Sequence, residues 1–396
     1  MKIGMILDEV FPPDPRVENE AISLVNNGHE VFLFCLTYGN EETAEIINGI
    51  QVKRFLSNTF LYKLSALAYT IPIYKFVMAH KIEKFIAKNS IDILHIHDIR
   101  IASAVFRANR KTKLPVVLDL HENRPEIMKF YPHLAKFPGK ILISPQKWKK
   151  AEEKFIKKSN KVIVVTHEAK KEILNRISLQ TNKITVLPNT VRKSFFEKST
   201  ILPEITIKYS NNFVLLYIGD TGIRRGLITS IQSVAMLKET IRNLKLVIVG
   251  KNSTDNILKQ LVKDLKIEKF VDFLGWQDAK LFNSYISCSD ICISPLYRNL
   301  HHDTTYANKL FQYMSLEKPI LVSNSTAQKE VVEKVQSGLV HEEKNVLDFT
   351  EKVLKLYRNK DLRNRLAENG KNFVRKEFYW EKTSKNLLNL YNTFEV

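Results

Sequence analysis

Apolar runs of strand length recur along this chain, and helical periodicity fills the gaps between them. KIGMILDEV reads as a first strand. VENEAISLVNNG carries apolar residues at helical spacing and is closed by Gly28, and HEVFLFCL reads as the next strand. The alternation continues through IQVKRF, a long amphipathic stretch to about Asn89, IDILHIHD, a helix near 101–110 and PVVLDLHE. A charged helix (KWKKAEEKFIKKSN), the strand KVIVVT, the helix HEAKKEILNRI and the strand ITVLPN complete the first half. Continuous apolar strands separated by helices predict parallel βαβ units covered on both faces.

Near residue 192 the period relaxes. RKSFFEKSTILPEITIKYSNN reads as an interdomain linker. A second alternation follows: NFVLLYIGD, a helix near 226–240, LKLVIVG, a helix near 254–266, VDFLG, a helix near 278–288 and DICISPL. Residues 303–338 then predict a polar loop and a short helix from about Asn308 to Glu317, ended by Lys318-Pro319. A strand from Ile320 to Ser323, a helix opened by Ser325, Thr326 and Gln328, and Gly338 come next. The tail from about 347 reads as helical. At 396 residues, two domains with separate cores are expected. Both are α/β and doubly wound, facing each other across a cleft with ligands at the carboxyl ends of the strands.

Composition changes this picture in three places. Glycine is scarce, and six of the 12 glycines (Gly219, Gly222, Gly226, Gly250, Gly275 and Gly338) fall at strand ends or turns of the second half. Cys35, Cys288 and Cys292 cannot build a disulfide framework, so a reduced, cytoplasmic setting is expected. Cys288, Cys292, His301 and His302 follow no common zinc spacing, and no metal is expected. Met1 to Leu7 reads directly as a strand rather than a signal peptide, and no stretch approaches the ~20 apolar residues of a membrane span.

Charge is uneven. Residues 51–200 hold 30 Lys and Arg against 11 Asp and Glu, which accounts for the whole chain's excess of 19. Aromatic residues interleave that charge in 53–76 and 129–150. Lys, Phe, Tyr and Trp together suit an anionic membrane surface. No nucleic-acid-binding motif accompanies the charge, so nucleic acid is not expected as a partner.

The strongest chemical signal is a pair of loops. In YIGDTGIRRGL a strand ends in a glycine turn and enters a helix at about Gly226, beside Arg224 and Arg225. About eighty residues on, Thr304, Thr305, Asn308, Lys309 and Gln312 surround another predicted helix start. Backbone donors, guanidinium groups and an ammonium suit a nucleotide diphosphate.

With these residues in view, the chain resembles the bacterial glycosyltransferases of family 4, which have the GT-B fold of two Rossmann-like domains. The resemblance spans essentially the whole length. It is carried by FPPDPRVENEAISLVNNGHEV, DILHIHD, VVLDLHE, ITVLPNTV, the strand–glycine–Arg-Gly turn and NKLFQYMSLEKPILVSN. It implies transfer of a sugar from a nucleotide-sugar donor with retention of configuration and no essential metal or cofactor. It also implies an acceptor domain (1–195), a nucleotide-sugar domain (196–375) and a C-terminal helix (376–396), with Trp380 and Tyr391, that crosses back to the first domain. The acceptor implied is a glycan or a polyprenyl-linked glycan of a surface polysaccharide, with the enzyme peripheral on the inner face of the cytoplasmic membrane.

The family pattern transfers in part. Thr304 and Gln312 stand where two glutamates, separated by seven residues, are usual in the donor loop. The amide of Gln312 can still bind ribose hydroxyls, whereas Thr304 cannot replace a carboxylate. Arg225 matches a basic position that holds the diphosphate. The second basic position, after Gly219, is Asp220, so Arg224, Lys309 or Arg298 would supply the other charge. Two other readings remain open: a non-catalytic GT-B protein that binds a nucleotide sugar or a partner, and a nucleotide-sugar epimerase. In the first domain His121 is the candidate catalytic histidine. Glu122, His97, Asp98 and the exposed turn residues Asp14 and Arg16 are candidates for the acceptor, and His95 reads as structural.

Overall fold

The computed structural model describes residues 1–394 apart from 132, 133, 135, 136, 138 and 199. The expectation for 129–150 therefore lies partly outside the described residues. The chain divides into unit 1, Met1–Asn189 with Thr383–Val396, and unit 2, Thr190–Lys382. The first boundary falls a few residues before the anticipated linker. That linker is not structureless. It contains helices at Lys193–Glu197 and Pro203–Tyr209, and Phe196 and Tyr209 are buried in the core of unit 2. Their helical period is too short to read from sequence.

Unit 1 is an eight-stranded sheet: β1 (Lys2–Val10), β2 (Glu30–Thr37), β3 (Thr43–Ile47), β4 (Ile50–Leu56), β5 (Ile93–His97), β6 (Val116–Leu120), β7 (Lys161–Val164) and β8 (Ile184–Val186). The order is β3-β4-β2-β1-β5-β6-β7-β8. All pairs are parallel except β3 with β4. β1 pairs with β2 on one side and β5 on the other, so the winding reverses there. Crevices at such reversals, outside the carboxyl ends of the strands, hold ligands in this class of fold. β5 and β6 bury every residue, including His95, His97 and Asp119. Polar groups so placed need partners.

Asp14 accepts hydrogen bonds from the backbone N–H groups of Arg16 and Val17 and caps the Pro15–Asn26 helix, with Pro15 in its first turn. Val17, Ala21 and Leu24 form its buried stripe, and Glu20 lies on the same stripe. At the far end of the chain, the Lys385–Asn392 helix buries Leu387, Leu390 and Tyr391 in unit 1.

Unit 2 is a six-stranded sheet, parallel throughout: β9 (Phe213–Ile218), β10 (Leu244–Val249), β11 (Val271–Gly275), β12 (Ile291–Ser294), β13 (Ile320–Ser323) and β14 (Gly338–His341). The order β11-β10-β9-β12-β13-β14 reverses at β9, which lies between β10 and β12. The loops after β9 and β12 meet at this reversal. Gly226 has φ +78°, and a Cβ there would run into the carbonyl oxygen of Pro295. Tyr297 N–H also donates to the Arg224 carbonyl at 3.0 Å. Gly226→Ala should therefore destabilise unit 2 by about 2 kcal/mol through backbone strain and displacement of the β12 loop. Thermal unfolding checks this; an unchanged melting temperature would contradict the packing described.

A candidate nucleotide-diphosphate site and a buried histidine network

The helix predicted from Asn308 to Glu317 is shorter than expected, Lys309–Ser315 with Asn308 at its cap position. It ends early because Glu317 adopts φ +58° ahead of Pro319. Leu310, Phe311, Tyr313 and Met314 sink into the core and carry Lys309 down with them. Lys309 is buried, and its ammonium lies 3.4 Å from the centroid of the Tyr217 ring. Its Nζ is also 3.8 Å from where a Cβ on Gly219 would sit, so the glycine keeps that space open. Among the described residues no carboxylate or carbonyl accepts a hydrogen bond from this ammonium. Burial pushes its pKa well below the usual lysine range, the nearby Arg225 adds to this, and Asp220 opposes it.

Arg224 and Arg225 stand beside it on the glycine turn. Arg225 Nε is 3.2 Å and Arg224 Nη2 3.7 Å from Asp220 Oδ2. Asn252 Nδ2 donates to the other carboxylate oxygen at 2.6 Å. Burial alone would raise the Asp220 pKa, but Arg225 and the Asn252 hydrogen bond overcome this and leave it lowered. His302 Nδ1 lies 2.7 Å from the Tyr297 carbonyl, and its Nε2 2.9 Å from Arg224 Nη1. Burial brings His302 down to about 3 despite the Tyr297 bond, with the neighbouring arginines adding to the effect. It is thus a neutral acceptor for Arg224. Arg224 and Arg225 face the carboxylate of Asp220, and the Lys309 amine buried beside them would be held in its charged form by a bound anion.

The other anticipated donor residues are placed differently. The Thr304 side chain is buried and its hydroxyl bonds to the carbonyls of Leu300 (2.7 Å) and His301 (3.3 Å). Thr305 does the same with His301 at 2.7 Å. Arg298 is exposed and turns its guanidinium to Asp303 at 3.2 Å. Gln312 is half-buried and Asn308 exposed.

In unit 1, Arg16 corrects the expectation of an exposed turn residue. It is 7% exposed and forms a bidentate pair with Asp119, at 2.8 and 2.6 Å, from a strand about a hundred residues away. It also donates to the Leu187 carbonyl and to Asn189, and lies 3.1 Å from Glu20. Such long-range pairing leaves no mark on local sequence. Asp119 also receives His121 Nε2 at 2.9 Å, and His97 Nδ1 is 3.1 Å from that nitrogen. The rings of His97 and His95 stack at 4.5 Å. His95 Nε2 is 3.3 Å from Glu20, and its Nδ1 is 2.8 Å from the Tyr391 hydroxyl. The C-terminal helix therefore closes the far end of the network.

The protonation states form a consistent set. Burial disfavours charge throughout, but Arg16 and His121 hold the Asp119 carboxyl well below the usual range. Burial pushes Glu20 well up against the opposing pull of Arg16, and the nearby Asp119 adds to the rise. Burial lowers both His95 and His97, with neighbouring histidines contributing, and keeps them neutral. His121 moves the other way, because the charge and hydrogen bond of Asp119 outweigh its burial. Glu20, His95, His97 and Asp119 bring ligand atoms within 4.8 Å of one another. Arg16 already supplies the countercharge there, and a divalent cation would be repelled by its guanidinium.

His121 keeps 20% of its side chain exposed and is the open end of the network. His97 and Asp98, anticipated to line an acceptor cleft, are buried instead. Asp98 bonds to Arg124 Nε at 2.9 Å and to the Ile99 N–H at 2.6 Å. Glu122 is half-buried beside Arg124, at 3.5 Å. Asp119 and Glu20 were not singled out in advance. Each carried a signal: a charge inside the apolar strand VVLDL, and a carboxylate on the apolar stripe of an amphipathic helix.

Two family models match. Residues 16–195 match Glycosyltransferase Family 4, and residues 199–373 match Glycosyl transferases group 1. The chain is 21% identical over 407 residues to an uncharacterized glycosyltransferase of Methanocaldococcus jannaschii, MJ1607, covering 99% of this chain and 98% of the relative. It is 25% identical over 247 residues to the capsular polysaccharide biosynthesis glycosyltransferase CapM of Staphylococcus aureus, covering 59% and 61%. Among solved structures, Anabaena HepE in complex with UDP-glucose superposes with a TM-score of 0.75 at 13% identity, covering 99% of this chain and 100% of that one. That likeness shows a shared GT-B fold.

Proposed function

The chain belongs to the family 4 glycosyltransferases of the GT-B fold, and from that premise we propose that it moves a sugar from a nucleotide-diphosphate donor to a glycan or polyprenyl-linked acceptor in surface polysaccharide synthesis. The observation that carries the donor half is Lys309, a buried amine with no ion pair among the described residues, beside Arg224 and Arg225 at the reversal of the unit 2 sheet. The diphosphate takes the place that Asp220 holds against the two arginines in the free protein. The likeness to a protein solved with UDP-glucose supports a nucleotide sugar as the donor class. The relation to CapM supports a polysaccharide pathway.

In this reading the bond between C1 of the sugar and the β-phosphate oxygen breaks as the diphosphate leaves. Lys309 and Arg225 stabilise the charge that grows on it, without a metal. The acceptor oxygen bonds to C1 on the same face, and its proton passes to the departing phosphate oxygen, so configuration is retained. Unit 1 supplies acceptor recognition. His121, biased toward imidazolium by Asp119, holds an acceptor or sugar hydroxyl as a donor of a hydrogen bond. The enzyme works on the inner face of the cytoplasmic membrane. No helix among the described residues is long and apolar enough to cross a membrane, and the basic, aromatic surface of unit 1 supports attachment from one side.

A transfer and hydrolysis assay over a panel of nucleotide sugars tests the proposal. Turnover of at least one donor is expected, with chelator having no effect. Arg225→Ala should lower that turnover about 100-fold with the melting temperature nearly unchanged. Nucleotide binding without turnover of any donor would instead indicate a non-catalytic member of the fold.

A further inference from the structure

Unit 1 contains a hollow of about 300 Å³ whose lining includes no member of the His121 network. Its walls are residues 68–72, the start of the Ile73–Asn89 helix, the Ala102–Ala108 helix with Arg110 beyond it, and the later turns of the Pro145–Lys158 helix. Five cations line it: Lys75, Arg107, Arg110, Lys154 and Lys158. No carboxylate does. None of the five forms an ion pair among the described residues, whereas Arg16, Arg100, Arg124 and Arg176 of the same unit all do. Convergent like charges repel. One anionic group seated among them relieves that repulsion.

The surroundings indicate where that anion comes from. The helix that supplies Lys75 also exposes Ile73, Phe76 and Val77, and the Thr59–Ser65 helix before it exposes Phe60 and Tyr62. The Arg107 guanidinium lies 4.3 Å from the centroid of the Phe76 ring. Next to the hollow is a larger, mainly apolar one of about 890 Å³, lined by Tyr62, Met128, Ile143 and Trp148 among others. Tyr69 of the first hollow and Trp148 of the second meet edge-on at 5.0 Å. A cationic pocket bordered by exposed aromatic and aliphatic side chains matches the boundary between lipid headgroups and acyl chains. We infer that this pocket binds the phosphate group of an anionic membrane lipid and anchors unit 1 to the membrane surface. The inference rests on the membrane-surface part of the function proposed above.

Co-sedimentation with vesicles tests it, using phosphatidylcholine alone and phosphatidylcholine with one quarter phosphatidylglycerol. Arg110, Lys154 and Lys158 are exposed, so the variant R110E/K154E/K158E keeps its core. K84E/K88E/K171E, equally exposed, makes the same change in net charge elsewhere on unit 1. The wild type should pellet with the anionic vesicles. The pocket variant should bind at least tenfold more weakly, and the control should stay within about threefold of wild type. If the wild type and both variants bind anionic vesicles alike, the pocket assignment falls while the membrane reading stands. If the wild type ignores anionic vesicles, both fall. Two further arms identify other ligands. Saturable binding of inorganic phosphate, or of a single-stranded oligonucleotide, that is lost in the pocket variant without any vesicle binding would overturn the lipid assignment.

Discussion

Lys309→Met should make the ligand-free protein more stable and the enzyme nearly inactive. In the free state the ammonium is buried over Tyr217 with no ion pair among the described residues, and its pKa is driven well down by burial. Methionine fills a similar volume without that desolvation cost, so a gain of about 1–2 kcal/mol is expected, reduced by loss of the contact with the ring. The pH dependence gives an independent check. The unfolded chain holds a proton on Lys309 up to its usual pKa near 10.4, while the folded protein releases it at lower pH. The wild type therefore gains stability relative to the variant as pH rises through that window. Turnover should fall by about 100- to 1000-fold, because the lost charge faces the departing diphosphate. Calorimetry at pH 7 and 9, with donor turnover, checks the three signs. A destabilised variant that keeps full activity would assign Lys309 to the core alone.

Asp119→Asn should produce the second large effect, with the opposite balance. The carboxylate receives two hydrogen bonds from Arg16 and one contact from His121 in a fully buried setting. Removing its charge takes away the bidentate carboxylate and leaves Arg16 with Glu20, whose carboxyl burial pushes well up, and the neutral acceptors of Leu187 and Asn189. Breaking a buried pair from one side costs about 3–5 kcal/mol. For a unit of this size that lowers the first unfolding transition by about 10 °C. His121 also loses the interaction that raises its pKa, so the alkaline fall in activity should begin at lower pH than in the wild type. A shift of less than about 2 °C would show that Arg16 finds another partner.

Much of the architecture was legible because parallel strands buried on both faces read as unbroken apolar runs. KIGMILDEV and NFVLLYIGD are examples. The exposed edge strand at Thr43–Ile47 was not, since it has no buried face to impose a period. Lys309 and Arg225 could be found from their positions after a glycine turn and before an apolar helix. The burial of Arg16 could not, because its partner Asp119 is distant in sequence and the pairing exists only in the folded sheet. Thr304 was legible as a departure from a familiar pattern. Its local hydrogen bonds to Leu300 and His301 became visible only with the helix that precedes it.

The central claim is that unit 2 binds a nucleotide diphosphate through Lys309. The most direct measurement is thermal stabilisation of the wild type and Lys309→Met by a panel of nucleoside diphosphates and nucleotide sugars, because a ligand bound only by the native state raises the melting temperature. The account predicts that at least one nucleotide stabilises the wild type by several degrees and that Lys309→Met loses that response despite its higher starting stability. Equal stabilisation of both proteins, or no response to any nucleotide in the panel, would contradict it.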